Sequence, residues 1–86
     1  GQVCIAAKRI IAMDSIYNDL EKLVIEKMRE CRIGNPLDIK TEMGPLARED
    51  LRKEVHEQVI LSKKQGAELK LGGEIPQGPG YFYPPT

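Results

Sequence analysis

Cys4 is the residue with the most chemistry to offer. It stands in Gly1-Gln2-Val3-Cys4-Ile5-Ala6, among small and apolar neighbours and just ahead of a β-branched run. A thiol attacks carbon only as the thiolate, so its surroundings decide its role. The free N–H groups and positive dipole end of a helix's first turn would favour that anion. Gly1, having no Cβ, lets a substrate or another chain come close to the backbone. A buried, inert cysteine fits the same local pattern and is the commoner use of the residue. Cys31 falls on the apolar face of a helix and reads as packing. His56, the single histidine, sits among Lys53, Glu54 and Glu57. It reads as a solvated helix residue, not as a general base. Tyr17 reads as packing at a helix rim, and Arg9 as the partner of a carboxylate elsewhere.

Composition removes several classes of function. Thirteen basic residues balance thirteen acidic ones over 86 residues. Without a basic excess there is little to displace counterions from nucleic acid, and no polybasic anchor for a membrane surface. No apolar run approaches the ~20 residues of a membrane helix, and no signal peptide is recognisable. Two cysteines without CxxC spacing and one histidine make no metal cluster. Nor do they suggest a secreted disulfide framework, so a reduced, intracellular chain is expected. Gly44-Pro45 fixes a bend; there is no glycine-rich dinucleotide fingerprint and no P-loop. The length allows one small domain of marginal stability. The first residue is glycine and the last three are Pro84-Pro85-Thr86, and a fragment of a longer protein is expected.

The elements that must position Cys4 follow from periodicity. Lys8 to Ala12, rich in β-branched residues, reads as a buried strand. Asp14 and Ser15 are N-cap types. Ile16, Leu20, Leu23, Val24, Met28 and Cys31 then fall on one face of a helix of about four turns. Gly34 suits a left-handed terminating position, and Asn35-Pro36-Leu37-Asp38 is a turn. A long aperiodic connection leads through Met43 to Gly44-Pro45-Leu46, a length often used for function or an interface. A second helix is expected from about Arg48 to Gln65, with Leu51, Val55, Val59 and Ser62 as its buried stripe. Glu49 is spaced to pair with Lys53 and Arg52, and Gly66 supplies the stop. Ala67-Glu68-Leu69-Lys70-Leu71 alternates as a half-exposed strand. Gly72-Gly73 ends it, and Tyr81-Phe82-Tyr83 opens a further short strand with aromatics that pack. The expected class is therefore α/β, strand-helix-helix-strand with a following loop.

These stretches, in this order, resemble the aldehyde dehydrogenase superfamily over all 86 residues. The resemblance rests on Gly1-Gln2-Val3-Cys4-Ile5-Ala6-Ala7-Lys8-Arg9, Ile16-Tyr17, Gly34-Asn35-Pro36-Leu37-Asp38 and Met43-Gly44-Pro45-Leu46. It continues through Gly66-Ala67, Gly72-Gly73 and Gly80-Tyr81-Phe82-Tyr83-Pro84-Pro85-Thr86. Among subgroups, Gly1 to Arg9 and Gly44-Pro45-Leu46-Ala47-Arg48 are similar to bacterial succinate-semialdehyde dehydrogenases. The resemblance implies that residues 1–86 are part of the catalytic domain, a parallel-sheet fold. Cys4 would be the nucleophile that gives a thiohemiacetal and, after hydride loss to NAD or NADP, a thioester that water hydrolyses. It also implies that the oxyanion asparagine, the base glutamate and the Rossmann-like cofactor domain lie upstream of Gly1. Further cofactor contacts and the oligomerisation strand lie beyond Thr86. The cofactor-binding residues are thus unassigned here, the parent is expected to be a cytoplasmic homo-oligomer, and the isolated piece is expected to be inactive and to self-associate. Some relatives carry a second cysteine two residues after the nucleophile; Ala6 stands there, so no local disulfide switch is expected. The contrasting possibility is a non-enzymatic helical interaction module with Cys4 as a core residue.

Overall fold

The computed structural model describes residues 4–86. Gly1, Gln2 and Val3, the leading part of the cysteine segment, lie outside the described residues. Two helices organise the chain: α1, Asp14–Glu30, and α2, Glu49–Lys64.

The first helix begins one position earlier than its sequence suggests. Met13 occupies the cap in an extended conformation, and its carbonyl accepts the N–H of Ile16 at 3.0 Å. Asp14 is therefore inside the first turn, where the helix dipole favours a carboxylate, and caps nothing. Lys27 and Arg29 complement the other end. Gly34 is not the terminator, and its φ is not positive. The helix stops earlier because Glu42 draws the chain away: the Arg32 N–H donates to Glu42 Oε2 at 2.9 Å, outside the helical ladder. Arg32 also donates from Nε to the Lys40 carbonyl at 2.7 Å and from Nη2 to Glu42 Oε1 at 3.2 Å. Its own carbonyl accepts from the N–H groups of Glu42 and Met43. The aperiodic connection is thus a closed loop. Within it, Asn35 and Asp38 side chains cap two successive turns, accepting from the N–H groups of Leu37 and Lys40, as short polar side chains do.

The second helix matches its expected span to within one residue at each end. Glu49 and Asp50 open it and Lys63 and Lys64 close it. The Gly66 N–H donates to Lys63 O and the Ala67 N–H to Ser62 O, with Gly66 at φ 99°. These are the two bonds of a Schellman ending. Of the two pairs expected at Glu49, Lys53 is found at 3.4 Å. Arg52 instead reaches the chain's tail, as described below.

Neither expected strand is present among the described residues, nor a third at Tyr81–Tyr83; the one bridge is an isolated contact between Ile33 and Met43. The expectation of strand-helix-helix-strand is corrected accordingly. A strand exists through its neighbour's N–H and C=O groups, and Lys8–Ala12 has no neighbour here: Ile11 is 95% exposed, not buried. Ala67–Leu71 does keep its alternation, with Leu69 and Leu71 turned inward and Glu68 and Lys70 outward, but without a ladder.

The helices do not pack directly on each other among the described residues. The tail lies between them. Tyr83 and Pro84 join Leu69 and Leu71 in a groove of about 650 Å³ whose walls are Ile25 and Met28 of α1 and Val55 and Val59 of α2. Tyr83, 8% exposed, is the one buried apolar side chain among the described residues. The inward face of α1 is Leu20, Val24, Ile25, Met28 and Cys31, whereas Ile16 and Leu23, expected on it, are more than half exposed.

Candidate active site

Cys4 lies in a turn with Ile5, well ahead of α1. It is a free thiol and it is exposed. The supporting helix N-terminus considered for it is therefore not supplied by either helix. Cys4 is not packed against other described residues. Directly after it, Ala6, Ala7 and Lys8 form one side of a groove of about 760 Å³. Leu23, Val24 and Met28 of α1 form the other side, with Pro85 and Thr86 of the tail as an end wall. Cys31 is half-buried in this groove, the packing role its helical position indicates. Arg9 is exposed and makes no ion pair with another described residue.

His56 is placed differently from its sequence reading. It is half-buried, not solvated, and its Nδ1 shares a hydrogen bond of 3.0 Å with the Tyr83 hydroxyl. The two rings meet edge to face with centroids 5.9 Å apart, a favoured aromatic geometry. Burial pushes the Tyr83 phenol above its usual value, since the phenolate would lose its hydration. One turn earlier, Arg52 donates from Nη1 to the Gly80 carbonyl at 2.9 Å and lies 5.7 Å from the Tyr81 ring centroid, within cation–π range. Its Nε is buried without a partner.

This pair of contacts was missed, yet it has a sequence signature. Arg52 and His56 are four apart on a helix, about 6 Å along its axis. Tyr81 and Tyr83 are two apart in extended chain, about 6.6 Å. The matching rises let both pairs meet at once. Tyr17 behaves as expected: it lines a small groove with Ile10 and Leu20, and its hydroxyl donates to Glu21 at 3.3 Å. Two exposed ion pairs set local charge. Arg48 grips Asp50 with two bonds of 2.9 Å, which holds that carboxyl below its usual range and raises the guanidinium. Lys70, raised by its contact with Glu68, also reaches Glu21 of α1 at 3.6 Å. Among the described residues no group of His, Cys, Asp and Glu is arranged to hold a metal, and no helix is long and apolar enough to cross a membrane.

The chain matches the Aldehyde dehydrogenase family over residues 1–86 and belongs to it. It is 46% identical, over its whole length, to an aldehyde dehydrogenase of Paenarthrobacter nicotinovorans, of which it covers 19%. It is 45% identical to a succinate-semialdehyde dehydrogenase (NADP(+)) of Mycobacterium leprae, again over the whole chain and 19% of that protein. Among solved structures, betaine aldehyde dehydrogenase from Staphylococcus aureus in complex with NAD+ superposes with a TM-score of 0.91 at 32% identity, over 98% of this chain and 18% of that one. An aldehyde dehydrogenase variant from Bacillus cereus gives 0.93 at 29% identity, over 99% and 17%. The described fold is thus a piece of the aldehyde dehydrogenase fold. The chain spans about a fifth of the length of the curated relatives it matches.

Proposed function

We propose that residues 1–86 belong to the catalytic domain of a longer enzyme that oxidises an aldehyde, succinate semialdehyde in the first instance, to its carboxylic acid. The observation that carries this is the match to the family over residues 1–86, in which Cys4 is a free and exposed thiol. The substrate rests on the names of the mycobacterial relatives. Cys4 as thiolate attacks the carbonyl carbon, and the oxygen takes up negative charge. The Cys4 backbone N–H is one donor for that oxyanion; such donors are typically worth about 3–4 kcal/mol in the transition state. Loss of hydride leaves a thioester, and water releases the acid and returns the thiol. Sulfur suits both halves, being strongly nucleophilic and forming an acyl group open to water.

The hydride acceptor is NAD or NADP, on the strength of the NADP(+) and NAD+ in the names of relatives and neighbours. The described residues do not fit a dinucleotide site: they contain no strand and no glycine-rich turn running from a strand into a helix. The cofactor site, the base glutamate, the oxyanion asparagine and the oligomerisation surface are therefore assigned to chain outside these residues. The parent is a homo-oligomer in a reducing, cytoplasmic setting that keeps Cys4 a thiol. The interaction-module alternative, with Cys4 in a core, is disfavoured by the family match over the whole chain.

Replacement of Cys4 by alanine in the full-length enzyme tests the assignment. Aldehyde-dependent reduction of NAD(P) should fall to background while the melting temperature and cofactor binding stay close to wild type. Turnover retained in that variant would remove Cys4 from the chemistry. The 86 residues alone should show no turnover, since they hold no hydride acceptor.

A further inference from the structure

We draw no further inference here: the strongest candidate, the exposed apolar pair Leu37 and Ile39 on the closed loop between α1 and α2, carries nothing because nothing in the structure shows what covers it.

Discussion

Tyr83 concentrates in one side chain what little interior these residues possess. Its ring is the buried apolar surface between the helices, and its hydroxyl is satisfied by His56. The raised phenol has a consequence for stability. Its folded value lies above the ordinary 10.0, so the folded state holds the proton more tightly than the unfolded one. The stabilisation is fully present below the unfolded value, and it is lost as pH rises through the folded one. We expect unfolding monitored against pH to be flat with respect to this group through neutrality and to weaken above about pH 10. Tyr83→Phe should abolish that alkaline loss and cost about 0.5–1.5 kcal/mol elsewhere for the missing hydrogen bond. Tyrosinate absorbance that places Tyr83 at or below its ordinary value would contradict this. The half-buried place of Cys31 was readable from its helical spacing. His56 was not, because its environment comes from residues nearly thirty positions away, and only the joint spacing of Arg52, His56, Tyr81 and Tyr83 reveals it.

At the scale of elements, what was readable is what depends on local chain chemistry. Both helices, the Asn35–Asp38 turn and the Gly66 stop follow from period, side-chain caps and left-handed glycine, all settled within a few residues. The end of α1 was not readable. Gly34 carries the right residue type, but Arg32 is captured first by Glu42 and Lys40 across the loop. The strands failed for a related reason. Lys8–Ala12 and Ala67–Leu71 have strand composition, yet pairing is a property of two segments, and neither finds a partner among the described residues. The side chains of Ala67–Leu71 still follow their pattern, with Leu69 and Leu71 facing the groove, whereas Ile10 and Ile11, expected to be buried, stand exposed.

Taken whole, the molecule presents more surface than its mass warrants. Its accessible area is 7306 Å² at 9.7 kDa, where a compact monomer of that mass shows about 5,100 Å². The radius of gyration, 14.1 Å, likewise exceeds the roughly 12 Å expected for this length. No side chain is fully buried among the described residues, and Leu37 and Ile39 are 92% and 98% exposed. An excess of about 2,000 Å² is larger than the ~800 Å² each partner of a stable complex covers. We therefore expect the isolated 86 residues to self-associate. Light scattering over a concentration series should give a mass that climbs above 9.7 kDa, and a constant monomer mass at high concentration would contradict that.

The function proposed for the intact enzyme turns on a single thiol, and the most direct measurement is stoichiometric. The full-length enzyme is titrated with iodoacetamide, with and without aldehyde, while activity and the label on the Cys4 and Cys31 peptides are followed together. Activity should fall in proportion to label on Cys4, reach zero at one label per chain, and be protected by aldehyde. Full alkylation of Cys4 with aldehyde oxidation intact would contradict the account.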